Sequence, residues 1–347
     1  MVVARRLQQT MALVDAPRGQ LIRTEENGVR PFDIGRDLRP VAELIADAFT
    51  NELDPRGKAA LREMRIMSRL SGLIKLLNRG TGELDDVFGG FVWVDRGRVV
   101  GNVTVQRADK HGSRWQIANV AVAPQHRGRG IARMLMRQAL EHVDLSGGEW
   151  AVLQVYEHNA VALKLYESLD FEQIGATVTL RLDRLPRVER PEPVPGFSSF
   201  SAQQWLPVYE LAASQLNGHA QWWRPVRRAD FDMPLDQQAM EWFWQIVGRR
   251  RVYRRCIQTS RRFEAALVLS AQRWSGAHEI DLWVRPEQYG RYEAMLTQWA
   301  LAALWEHPRA PVTVNLSREH TAGLEALEAF GFRPQRTLIT MRRRIDA

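Results

Sequence analysis

One cysteine, Cys256, stands in the whole 347-residue chain. No disulfide can close within it, so nothing here requires an oxidising compartment. Lysine is nearly as scarce: of 48 basic residues only Lys58, Lys75, Lys110 and Lys164 are lysine, and the rest are arginine. Long apolar runs are missing too. No stretch reaches the roughly 20 residues that a membrane-spanning helix needs. The opening MVVARRLQQTMALVDAPRGQ is basic but lacks an apolar core long enough for a signal peptide. These absences set the expectations: a cytoplasmic chain, no membrane partner and no metal.

What is present fits a globular protein, with 45% hydrophobic and 25% charged residues. The net charge of +8 raises the prospect of an anionic partner. Arginine bias follows as readily from genomic base composition. The clusters Arg249–Arg251, Arg254–Arg255, Arg261–Arg262 and Arg342–Arg344 are not interleaved with aromatic residues as in a nucleic-acid module. Genomic base composition is therefore the stronger reading of the arginines, and nucleic acid the weaker.

The segment RLPRVERPEPVPGF (184–197) holds four prolines and reads as an extended linker. It divides the chain into 1–183 and 198–347. In the first part, 36–50 and 57–78 suit amphipathic helices, and 91–106 suits a hairpin turning at Asp95–Gly97. A strand at 115–122, a helix at 130–143, a strand at 150–156, a helix at 159–169 and a strand at 171–182 follow. The second part repeats this order: helix 201–216, a hairpin, strand 278–284, helix 287–305, strand 311–317, helix 320–332 and a last strand. Val122 to Gly128 aligns with Val284 to Gly290 at an offset of 162, and Phe171 with Phe332 at 161. A shared order at a nearly constant offset indicates a duplicated domain.

Between strand 115–122 and helix 130–143 lies AVAPQHRGRG (121–130). A helix start leaves unpaired N–H groups at the positive end of a dipole. Glycine lets backbone approach a ligand closely, so the pair makes a phosphate cradle. Arg127 and Arg129 would add charge-assisted bonds to phosphate oxygens. A tight turn with solvated arginines is the competing reading of these residues.

QHRGRGIA (125–132) resembles the Q/R-x-x-G-x-G/A acetyl-CoA motif of the GCN5-related N-acetyltransferase (GNAT) superfamily, through Gln125, Gly128 and Gly130. NAVALKLYESLDF (159–171) resembles that family's N-x-x-A-x-x-L-Y-x-x-x-G-F, through Asn159, Ala162, Leu165, Tyr166 and Phe171. Asp170 replaces the glycine, as a residue tolerant of left-handed backbone can. The likeness covers roughly 30–183 well and 200–345 by topology only. It implies an α/β fold of two tandem GNAT-like domains, each a twisted, mostly antiparallel mixed sheet with splayed central strands flanked by helices.

The same likeness implies acetyl-CoA as cosubstrate. Val120 and Val122 would pair with its pantetheine amides, and Gln125, Arg127, Gly128, Arg129, Gly130, Ile131 and Ala132 would line the pyrophosphate loop. A primary amine on a small molecule or peptide would attack the thioester directly. Tyr166 would act as general acid toward the departing thiolate, and backbone N–H groups in 120–122 would face the carbonyl oxygen. Asn159 is a CoA-contacting amide, a helix N-cap, or both. Strand 115–122 carries Gln116 and Asn119, which do not titrate. Glu52, Asp54, Glu157 and a water route stay open as the base.

The second repeat keeps Gly290 but has Tyr292 for Gly130, Glu287 for Gln125 and Leu327 for Tyr166. A tyrosine where backbone must approach pyrophosphate is obstructive and a glutamate there repels phosphate, so this half is expected not to bind CoA productively, and to help form an acceptor pocket or a homodimer face. Nine of the twelve tryptophans lie in this half. A longer acyl group, a non-catalytic acyl-CoA-binding module and an arginine-based nucleic-acid binder are the alternatives.

Overall fold

The computed structural model describes residues 27–48, 89–108, 112–215, 250–260, 262–273 and 276–345. The expected helix at 57–78, Glu52, Asp54, Trp222–Trp223 and Trp242/Trp244 lie outside the described residues. Contacts divide the chain into two compact units. Unit 1 gathers the described residues up to Leu153, Leu169–Phe171 and the segment from Arg342; unit 2 gathers Gln154–Ser168 and the described part of Glu172–Met341.

In unit 1, strand β1 (Asn27–Pro31) leads to helix α1 (Ile34–Ala48). Strands β2 (Gly90–Asp95) and β3 (Arg98–Arg107) form the hairpin expected from the sequence. Its turn residues Arg96 and Gly97 both have positive φ, 49° and 73°, which matches the twist of a two-residue hairpin. Strand β4 (Arg114–Val122) precedes helix α2 (Ile131–Leu145) and strand β5 (Trp150–Tyr156), which belongs to this unit up to Leu153. The order β1-β2-β3-β4 is antiparallel throughout, and β4 meets β5 in parallel.

Apolar periodicity decides which faces pack. On α1, Leu38, Val41, Ala42, Leu44 and Ile45 are buried at helical spacing, and Val41 and Ile45 meet Val92 and Val94 of β2. Asp37 on the same face is also buried. Its charge is met by Arg30 of β1, with Nη2 donating to Oδ1 at 2.7 Å, and by the Asp33 N–H at 2.8 Å. Helix α2 buries Ile131, Leu135, Met136, Ala139, Leu140 and Val143. Its first turn lies so close to β3 that a Cβ at Gly101 would stand 3.0 Å from both Ile131 and Leu135. Glycine at 101 therefore sets how near the loop before α2 sits to the sheet.

Unit 2 holds helix α3 (Ala160–Glu167), strand β6 (Glu172–Leu182), strand β7 (Phe197–Ser199) and helix α4 (Trp205–Gln215). Strands β8 (Arg250–Thr259), β9 (Arg262–Gln272) and β10 (His278–Val284) follow. Helix α5 (Glu293–Leu304), strand β11 (Val312–Ser317), helix α6 (Thr321–Ala329) and strand β12 (Arg333–Arg344), up to Met341, complete it. Strand order is β12-β6-β11-β10-β9-β8-β7, with β10 and β11 parallel. Strand β6 pairs antiparallel with β11, from Val312 opposite Leu182 to Ser317 opposite Thr177. A strand from the first repeat thus lies beside one from the second, inside one unit.

The proline-rich segment has no helix or strand over 185–194, yet it is packed. Leu185, Val188 and Val194 lie against the core of unit 2, with Leu180, Leu267, Leu296, Leu301 and Phe332 at its centre. Two side-chain bonds hold its backbone: Trp305 Nε1 to the Pro186 carbonyl at 3.2 Å and Gln298 Nε2 to the Glu189 carbonyl at 3.0 Å.

The mixed, mostly antiparallel sheets flanked by helices agree with the expected fold class. So does the splay of the parallel strands. β4 and β5 pair only from Arg114 opposite Trp150 to Gln116 opposite Val152. β10 and β11 likewise pair only from His278 opposite Val312 to Ile280 opposite Val314.

Candidate functional site

Past Gln116, β4 has no register partner on β5. On its other side β4 follows β3, but Asn102 faces Ala121 while Thr104 faces Ala118. One extra residue sits on β4 there, a β-bulge. Asn119 occupies it with φ 51°, a left-handed conformation that asparagine tolerates. The bulge is held by Asn102, 2% exposed on β3, whose Nδ2 donates to the Asn119 carbonyl at 3.0 Å. Asn119 Nδ2 donates to Thr104 Oγ1 at 3.2 Å.

After the bulge the ladder resumes, and the Ala123 N–H donates to the Val100 carbonyl. Strand periodicity then turns the backbone groups of Val122 and Val120 away from β3, toward the side that β5 has left. Both residues are half-buried there.

The loop that follows is fixed at several points. Pro124–His126 makes a single 3-10 turn, with the His126 N–H donating to the Ala123 carbonyl. His126 Nε2 lies 3.0 Å from Asp95 Oδ2 at the end of β2. Arg127 folds back, its Nε donating to the Val122 carbonyl at 3.2 Å. Gln125 and Arg129 are exposed. Gly128 and Gly130 have φ 77° and 76°, and among the described residues no atom beyond the chain neighbours lies within 4 Å of a Cβ built on either. Glycine is needed there for conformation, and the space above the loop is clear.

Gly130 caps α2, and the first helical bond is the Met134 N–H to the Gly130 carbonyl at 3.1 Å. The earlier N–H groups, those of Ile131 and Ala132 among them, are the unpaired set of a helix start. Ile131 itself is buried beneath the loop. The result is a glycine-lined helix N-terminus beside the edge of β4 that has no partner on β5 past Gln116, with the Val122 carbonyl held by Arg127, and it suits an oxyanion and an extended amide chain.

Val120, Val122, Gln125, Arg127, Gly128, Arg129, Gly130, Ile131 and Ala132 all lie together in unit 1. Asn159 and Tyr166 lie in unit 2, on α3. Asn159 is the N-cap of α3, its Oδ1 accepting the Ala162 N–H at 3.1 Å. Asp170 has φ 61°, the left-handed backbone inferred from its place in the motif. Tyr166 is 6% exposed, and burial pushes its phenol up to about 12. Glu157 is ion-paired, with Arg318 Nη2 2.6 Å from its Oε1.

Two features were missed in the sequence. Asn102 is a polar residue between the buried Val100 and Val103 in VVGNVTVQ, and that was the available signal. The His126–Asp95 pair had none, because the partners are far apart in sequence and both residue types suit a surface.

In unit 2 the corresponding loop also makes a 3-10 turn, Pro286–Gln288, and Gly290 keeps φ 83°. Tyr292 differs, with φ −121° and its ring in the core. The tyrosine ring therefore does not obstruct the loop, as the sequence had implied. Glu293 does: its Oε1 accepts the Gly290 N–H and its Oε2 the Tyr292 N–H, each at 3.0 Å.

Comparison with known proteins places these features. The profile of the Acetyltransferase (GNAT) family matches residues 52–171. A mycothiol acetyltransferase of Thermobispora bispora is 29% identical over 157 residues, covering 44% of this chain and 49% of that protein. The chain spans about half the length of such curated relatives. A tandem GNAT protein from the clavulanic acid biosynthesis pathway superposes with TM-score 0.57 at 17% identity, over 92% of this chain and 98% of that one. A GCN5-related N-acetyltransferase from Sphaerobacter thermophilus does so with TM-score 0.59 at 15% identity, over 92% and 96%. The order of elements, the bulged and splayed β4 and the glycine loop agree with these likenesses: residues 52–171 match the GNAT family, and the chain has the fold of tandem GNAT proteins.

Proposed function

We propose that the first repeat transfers an acetyl group from acetyl-CoA to a primary amine by direct attack. The observation that carries this is the clear loop at Gly128 and Gly130 beside the unpaired edge of β4. Backbone N–H groups from Gly128 to Ala132 would hold the pyrophosphate, with Arg129 beside them. Arg127 lends its charge from its place against Val122, and Gln125 borders the loop. Val120 and Val122 would bind the pantetheine amides. Acetyl-CoA supplies an activated carbonyl and a thiolate leaving group. The bulge, locked by Asn102, fixes the direction of the N–H groups that follow Asn119, and fixed donors stabilise charge developing on the carbonyl oxygen.

Tyr166 is assigned as the acid from its motif position. A phenol near 12 stays protonated at neutral pH. Toward a sulfur with a pKa of about 8.5 it is an hydrogen-bond donor before it is a proton donor. Asn159 orders the start of α3 through its cap. Glu157 is engaged by Arg318, so the amine proton is assigned to a water route. The acceptor is a small-molecule or peptide amine, in a cytoplasmic setting. The domains are assigned as 1–183 and 198–347, joined by 184–197. The test is CoA thiol release on a panel of amines, amino acids and peptides. Turnover that vanishes in a Gly128→Glu/Gly130→Glu variant supports the assignment; undiminished turnover overturns it.

One observation favours a second reading, a non-catalytic acyl-CoA sensor: among the described candidates for the base, Glu157 is taken by Arg318. Tight acetyl-CoA binding with no thiol release on any amine would select it.

A further inference from the structure

We infer that the loop of the second repeat retains an anion-binding set of backbone N–H groups and fills it with its own carboxylate, Glu293. This goes beyond the proposed activity of the first repeat and does not depend on it. At the offset of 162, Glu293 stands where the first repeat has Ile131, the first residue of α2. Ile131 is buried and leaves the loop above it clear. Glu293 is 1% exposed, and its side chain turns back under the loop. It takes up the N–H groups of Gly290 and Tyr292, the counterparts of Gly128 and Gly130.

An ordinary carboxylate at a helix start lies in water and gains from the dipole alone. This one is sealed. His320 Nε2 lies 2.9 Å from Glu293 Oε1, and His320 is itself 3% exposed. His320 is the N-cap of α6 and occupies the place of Asn159. Tyr289, within the same loop, stacks on the His320 ring at 3.9 Å between centroids and 16° between planes. The carboxylate thus has two backbone donors and a buried imidazole, with an aromatic ring on that imidazole. Burying a charge so completely is tolerated only with such partners. The arrangement is that of a bound oxyanion whose tether is the chain. The anion cradle in unit 1 is clear, and the one in unit 2 is sealed.

Chemical rescue tests this. Glu293→Ala deletes the atoms of one acetate ion. The variant should lose ~5 °C or more in Tm, because two N–H groups and His320 lose their acceptor. Acetate should restore most of that loss and leave the wild-type Tm unchanged. Running both in the Gly128→Glu/Gly130→Glu background removes any contribution of the first loop. A Tm response to acetate equal in variant and parent would overturn the inference. Should Glu293→Ala not fold, Glu293→Gln keeps the volume with one neutral acceptor. Amide exchange at Gly290 or Tyr292 should then quicken ~10-fold; unchanged exchange at both would overturn the inference equally. No arm of the experiment uses CoA, so its failure is separate from failure of the proposed function.

Discussion

Asn102, buried on β3, holds the carbonyl of Asn119 at 3.0 Å and thereby fixes the bulge of β4. The bulge in turn decides which backbone groups of β4 face the gap left by β5. Asn102→Ala removes the side-chain donor to that carbonyl. The expected cost is about 1–3 kcal/mol of stability, the penalty for a buried polar group left unsatisfied. Acetyl-CoA affinity should fall at the same time. Urea unfolding and calorimetry on one preparation check both; a stability loss with unchanged affinity would separate the bulge from the cradle.

Gly130 has φ 76° and clear space where a Cβ would go. Gly130→Ala should fold, at a cost of about 1–2 kcal/mol for left-handed backbone. Its methyl group would project where the pyrophosphate is placed. A Kd for acetyl-CoA raised by tenfold or more is expected. Gly97, also left-handed and also in clear space, lies in the β2–β3 turn. Gly97→Ala should show the same stability cost with no change in Kd.

Tyr166 gives a pH signature. Its folded pKa is raised to about 12 from the ordinary 10 because burial disfavours the phenolate. Between these values the unfolded chain loses its proton while the folded chain keeps it. Stability is therefore complete below pH 10 and falls as pH rises toward 12, by about 2–3 kcal/mol for this group. Tyr166→Phe has no such proton to lose. Denaturant midpoints from pH 9 to 12 should fall more steeply for wild type than for the variant; parallel curves would contradict the assignment.

Asn159 caps α3 through the Ala162 N–H. Asn159→Ala should cost about 0.5–2 kcal/mol, and Asn159→Asp, which preserves the acceptor, should cost little. If the cap is its whole role, Asn159→Asp keeps wild-type turnover. A drop in turnover for Asn159→Asp with normal stability would show a second role at the cofactor.

Local structure was largely legible in the sequence, because it is written in periods of 2 and 3.6. The β2–β3 hairpin, β4, β5 and the loop at Gly128 stand where alternation and glycine placed them. β1 and β7 were not seen: NGVRP and FSS are too short to carry a period. The partner of a strand was not legible either. Alternation marks Glu172–Leu182 as a strand, but nothing in its period says that it lies beside Val312–Ser317. The role of Tyr292 was misjudged for a related reason. Residue size suggested an obstruction, but φ turned the ring into the core and left the closure to Glu293, one residue on.

The claim that one cradle is clear and the other sealed is tested most directly by calorimetric titration of the full chain with acetyl-CoA. One site per chain is predicted, abolished by Gly128→Glu/Gly130→Glu and untouched by Glu293→Gln. Two sites per chain, or one that survives the double glycine substitution, would contradict it.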